Sequence, residues 1–158
     1  MNQNPGPLAR LHVLAAGMRA PLHAERRLGL PFDQVWAVVA DLEGELPHLL
    51  PFVREFRVPA GDSERKSARA VDALGLRGDF AVRLAPGWCL MQSRLVTMGM
   101  AAEPDGDGTR FAVCGALRPA ALGPVQRGYR RLLGERRARA FFREVERRAA
   151  LRPPGGGT

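Results

Sequence analysis

The residues of this sequence whose types could do chemistry are few: three histidines, two cysteines, one tyrosine and a handful of polar side chains set into apolar stretches. His12, His23 and His48 are scattered along the chain. A lone histidine without a positioned partner is more often a surface or capping residue than a base. Cys89 and Cys114 stand in strand-like apolar stretches without a second ligand pair, so they read as buried free thiols rather than a zinc site or a disulfide framework. Asp72, Gln92 and Arg94 also lie within strand-like stretches. On an antiparallel sheet such residues belong on the wet face; the alternative is a cavity in which Arg94 or Gln92 orients a carbonyl. The sequence carries no metal-ligand spacing, no phosphate-cradling glycine loop and no nucleophile motif, so no catalytic residue, metal or cofactor is expected from it.

The element that must position these residues is the last long stretch, 124–151 (PVQRGYRRLLGERRARAFFREVERRAAL). Proline opens it, none interrupts it, and a Pro-Pro-Gly-Gly-Gly run follows, so one helix about 42 Å long is predicted. Val125, Tyr129 and Leu132 mark one stripe, whereas Phe141, Val145 and Ala149 fall on nearly the opposite side at 100° per residue. Either the helix kinks near Gly134, or its two halves cover different elements.

Before it, the chain reads as a strand over 22–30, closed by Pro31, then a helix over 32–42 with Phe32, Val35, Trp36 and Val39 on its buried face. A second short helix follows over 45–50 and a strand over 53–58, with a turn at Gly61-Asp62-Ser63. Strands are then expected over 67–76, 79–84, 89–97, 98–103 and 109–117, with Pro104-Asp105-Gly106-Asp107-Gly108 as the clearest hairpin signal. The last of these puts Phe111, Val113, Gly115 and Leu117 on one face. Turns this short require antiparallel pairing, and helices gathered at the two ends of a strand series make an α+β domain.

A chain of 158 residues with 46% hydrophobic content is one folded domain, not a disordered chain. Its net charge of +8 invites a polyanion reading, yet Lys66 is the only lysine among 24 basic residues and isoleucine is absent. That is the bias of a GC-rich coding sequence. The arginines of the last helix spread over several faces and form no single stripe to track a phosphate backbone, which argues against nucleic acid and leaves an anionic membrane surface open. No stretch approaches the length of a membrane span, and residues 11–18 lack the basic flank of a signal peptide, so a cytoplasmic protein is expected. Residues 1–21 read as a flexible leader whose loss the fold would tolerate, 22–151 as the domain and 152–158 as a disordered tail. Nothing in the sequence sets an oligomeric state.

The run LPFDQVWAVVADLEGELPHLLPFVREFRV, placed between a first strand and a meander that ends in a long helix, resembles the START-like helix-grip superfamily. That superfamily includes polyketide cyclases and dehydrases, lipid-transfer domains and coenzyme Q-binding proteins. The likeness rests on Pro31 before the helix, Val35-Trp36 within it, Asp41 at its end, and Pro47 and Pro51 around the second helix, and it extends over about 22–151. It implies a curved antiparallel sheet wrapped around the C-terminal helix, with an apolar cavity between them for a hydrophobic small molecule such as a lipid, quinone or polyketide. On this chain the residues expected to line it are Phe80, Val82, Trp88, Met98, Met100, Phe111 and Val113 from the sheet, with Tyr129 and Leu133 from the helix. An aromatase/cyclase activity is the enzymatic alternative; it would need Tyr129, Arg94 or Gln92 to converge inside.

Overall fold

The computed structural model describes residues 4–61 and 64–153. Among these, seven strands form one antiparallel sheet: β1 (Leu22–Leu28), β2 (Val53–Arg57), β3 (Arg65–Asp72), β4 (Arg77–Ala85), β5 (Trp88–Gln92), β6 (Val96–Asp105) and β7 (Gly108–Leu117). Their spatial order is β1-β7-β6-β5-β4-β3-β2. Strands β2 to β7 are therefore a meander, while β1 pairs with β7 and lies at the opposite edge from β2. The chain between β1 and β2 must cross the whole sheet, and it does so as two short helices, α2 (Phe32–Ala40) and α3 (Leu46–Leu49).

The sheet curls, and its concave face is covered by the chain's last helix. A 3₁₀ turn (Ala120–Leu122) leads into α4 (Gly123–Tyr129), which passes through a π-helical segment (Arg130–Gly134) into α5 (Glu135–Ala150). A π turn packs more residues per turn than an α-helix and so rotates the phase of everything after it. The helix nonetheless stays continuous, and of the two stripes only the second becomes a buried face; the sheet side of the first half is Gln126 and Gly134. In α5 that face is Phe141, Phe142, Val145 and Ala149, all buried at helical spacing. In α4 and the π segment, Val125 and Leu132 remain 62% and 80% exposed.

The domain's main core fills the end of the concave face under α2 and α5. Phe111 is fully buried there, with ring centroids 6.0 Å from Phe141 and 5.5 Å from Phe142, and Val82, Met100 and Val35 pack around them. The Phe141 contact is stacked and the Phe142 contact edge-to-face, and ring pairs of either kind add about 1 kcal/mol each beyond the area they bury. Trp36, read from the sequence as a core residue, packs at the margin of that core, half-buried and stacked on Phe32, while Val35, Val38 and Val39 form the fully buried face of α2.

The segment expected to be a loose leader carries a helix, α1 (Pro7–Ala16), seated on the convex face of the sheet. Leu8, Leu11 and Ala15 form a second core there with Trp88, Ala101, Ala112 and Cys114. Gly99 makes this close approach feasible, since a Cβ at that position would lie 2.7 Å from Leu11 Cδ1. The boundary between β5 and β6 also differs from the expected one at 97/98: the chain turns at Ser93, whose Oγ accepts hydrogen bonds from the Leu95 and Val96 amides. A serine turn carries no glycine or proline and leaves little trace in a hydrophobic pattern. Residues 62 and 63 of the turn at Gly61 lie outside the described residues, as does the expected tail from 154 onward. Its first residue, Arg152, is anchored, donating from Nη2 to Asp41 Oδ2 at 3.0 Å and Glu45 Oε1 at 2.9 Å.

Candidate functional site

A cavity of about 820 Å³ occupies the other end of the concave face, under α4, the π segment and the start of α5. Its origin can be read from the residues. The inward positions at this end of the sheet are small or slender: Ala24 on β1, Gly115 and Val113 on β7, and Met98 on β6. The helix above is held at two points. Gln126, only 6% exposed, donates from Nε2 to the Ala20 and Gly115 carbonyls at 3.3 Å each and closes the near end. At Gly134 the helix comes so close to β1 that a Cβ would lie 2.9 Å from Leu22 Cδ2. Between these supports neither side chains nor helix fill the space, and Phe141 and Ala138 separate it from the packed core. The α3–β2 connection supplies a wall at Leu49, Leu50, Pro51 and Phe52. Phe52 and Val125, 55% and 62% exposed, mark the solvent side.

Of the residues expected to line a cavity, Met98, Val113 and Tyr129 border this one. Phe80, Val82, Met100 and Phe111 do point into the concave face, but they belong to the packed end and are not part of the cavity wall. Trp88 lies on the convex side against α1, with the Arg10 guanidinium 4.3 Å from its ring centroid. Leu133, in the π segment, is 36% exposed and does not border the cavity. The wall residues that the sequence reading did not single out are chiefly Leu22, Ala24, Gly115 and Leu117. Their trace in the sequence is a period-2 row on β7, Val113-Gly115-Leu117, in which a glycine takes an inward position where a packed core would carry a large side chain.

The polar candidates do not converge. Arg94 is exposed in the β5–β6 turn, and Asp72 accepts the Leu74 and Leu76 amides through Oδ1 at 2.8 Å in the β3–β4 turn. Gln92 follows Trp88 and Leu90 at the spacing of one strand face, so it shares their convex side. Tyr129 is the one of these that reaches the wall, with Arg130 and Arg137 beside it on the helix. Both cysteines are buried free thiols. Burial pushes the Cys89 thiol up to about 12 and the Cys114 thiol up to about 11, which leaves little thiolate for nucleophilic or redox work.

No protein-family model matches the sequence, and no curated protein sequence matches it. Solved structures do. The Zhui aromatase/cyclase from Streptomyces sp. R1128 superposes with a TM-score of 0.59 over 87% of this chain and 98% of that one, at 19% identity. The chain has the START-like helix-grip fold. The di-domain aromatase/cyclase StfQ of the steffimycin biosynthetic pathway gives a TM-score of 0.64 over 90% of this chain and 54% of its own, at 12% identity. Ara h 8.0201 gives 0.56 over 84% and 98%, also at 12% identity. At such identities the likeness concerns the fold, and the helix-grip scaffold hosts many activities. Among the described residues, no helix of this helix-grip chain is long and apolar enough to cross a membrane.

Proposed function

We propose that this protein binds a hydrophobic small molecule, of lipid, quinone or polyketide type, in the cavity between its sheet and its C-terminal helix. The observation that carries this reading is the cavity itself: about 820 Å³, walled largely by apolar side chains and bordered by few polar groups. That volume lies in the range of ordinary small-molecule sites, and apolar walls with a few polar groups are their usual chemistry. Affinity would come from burial, at about 25 cal/mol per Å² of apolar ligand surface removed from water. Tyr129, Arg130 and Arg137 border the cavity, and their hydroxyl and guanidinium groups would orient a ligand's oxygen-bearing end. Turnover of the aromatase/cyclase type asks for several polar groups aimed at one substrate carbon chain. Of Tyr129, Arg94 and Gln92, only Tyr129 borders the cavity, so binding without catalysis is the reading these groups support.

The test is native mass spectrometry of protein purified from its own cells, followed by organic extraction and identification of whatever accompanies it. A stoichiometric apolar molecule is expected. Protein that carries nothing, and whose thermal unfolding is unmoved by fatty acids, quinones and aromatic polyketides, would overturn the proposal.

A further inference from the structure

We propose that His12, His23 and Glu25 form a binding site for a divalent transition-metal ion of the zinc class, which clamps α1 to the convex face of the sheet. His23 and Glu25 are two residues apart on β1 and therefore point to the same side. On β1 they pair with Cys114 and Ala112 of β7, whose side chains lie in the core under α1, so these two face outward, toward α1. His12 comes down from that helix. The ligating atoms of the three side chains all lie within 4.8 Å of one another. His12 Nε2 is 2.8 Å from Glu25 Oε2, and the two imidazole rings stand nearly perpendicular with centroids 5.4 Å apart. Two donors bound to one tetrahedral zinc ion at about 2.0–2.2 Å sit about 3.3–3.6 Å from each other, so a small movement of exposed side chains is enough to admit the ion.

The donor set selects the class. Two imidazoles and one carboxylate suit zinc and its neighbours among the first-row metals, whereas calcium and magnesium favour oxygen throughout. The side chains of His12 and Glu25 are 50% and 27% exposed, which gives an ion a route in and leaves room for water as a fourth ligand. Arg110 supports the carboxylate from behind: its Nε lies 3.8 Å from Glu25 Oε1, the oxygen that does not face His12. An outer partner of this kind fixes the orientation of a metal-binding carboxylate, although its positive charge also weakens the attraction for a cation. The site joins residues from two elements, so a bound ion would stabilise the docked position of α1 by mass action.

The experiment is a titration of the full-length, tag-free protein with zinc chloride, followed by calorimetry and by thermal unfolding, with Co(II) visible absorption as a report on the ligands. One ion per chain and a rise in Tm are expected. His12→Ala, His23→Ala and Glu25→Gln should each weaken uptake by at least about tenfold. If His12→Ala alone loosens α1 in metal-free protein, His12→Gln, which can still hydrogen-bond Glu25, is expected to keep α1 docked and to lose the ion. Absence of saturable one-to-one uptake, or uptake that survives all of these substitutions, would overturn the proposal.

Discussion

Gly115 and Glu45 show how much single residues decide in this domain. Gly115 sits on the floor of the cavity, and a Cβ built there meets nothing closer than 3.5 Å, so a larger side chain can enter without forcing the backbone. Gly115→Leu is expected to fold with unchanged or higher Tm, because a side chain fills empty space, and to lose at least about tenfold in affinity for an apolar probe. Fluorescence titration of the variant checks this; undiminished binding would move the ligand elsewhere. Glu45 is 8% exposed, and its oxygens receive Arg148 and Arg152. Burial by itself would raise the carboxyl pKa, but the hydrogen bonds and charges of the two arginines outweigh it and hold the group below its ordinary value of 4.5. A carboxyl whose pKa falls on folding contributes stability above its unfolded value, and that contribution is lost as pH drops through the folded one. Glu45→Gln is expected to cost about 2 kcal/mol at neutral pH by removing the carboxylate that Arg148 and Arg152 share, leaving them Glu144 and Asp41 alone. The difference from the parent protein should shrink as pH is lowered below 4.5. Chemical denaturation at several pH values measures it, and a pH-independent difference would remove the ion pairs from the account.

At the scale of elements, the last helix works as two parts joined by the π turn. Its C-terminal part is a core helix, tied to α2 and α3 through Phe141, Phe142 and Val145 and through the Glu45 ion pairs. Its N-terminal part is a roof, held by Gln126 and Gly134 and otherwise loosely seated. The cavity is the consequence of that division. On the other side of the sheet α1 covers Trp88, Ala101, Ala112 and Cys114. Deleting residues 1–18 removes the buried Leu8 and Leu11 and uncovers that patch. The shortened chain is expected to lose on the order of 10 °C in Tm and to bind hydrophobic dyes more strongly. Unchanged unfolding would mean that α1 contributes little to the native state.

For the whole molecule, the excess of positive charge and the apolar cavity call for different responses to salt. Binding that relies on the +8 net charge falls steeply as ionic strength rises, because counterions are released and exposed charges are screened. Burial of a neutral ligand under the helix should change less than about twofold between roughly 50 and 200 mM salt. Parallel titrations with a neutral apolar probe and with anionic vesicles separate the two. An apolar probe whose affinity collapses with salt would place it on the arginine surface instead of in the cavity.

The α+β class, the order of elements from β1 onward, the antiparallel meander and the long closing helix were legible from the sequence, because they rest on local signals: hydrophobic period, proline and glycine punctuation, and connections too short for anything but antiparallel pairing. The inward row Phe111-Val113-Gly115-Leu117 was legible in the same way. Where that row changes from packed core to cavity was not, since the division depends on how far α4 stands from the sheet, and this is set by Gln126, Gly134 and the π turn together. Trp88 shows the same limit. Strand alternation assigns a residue to one of two faces, but which face becomes concave is decided by the helices that settle on each side. The gathering of His12, His23 and Glu25 belongs to this class too: their spacing has no meaning along the chain, and only the docking of α1 on β6 and β7, beside β1, makes them neighbours.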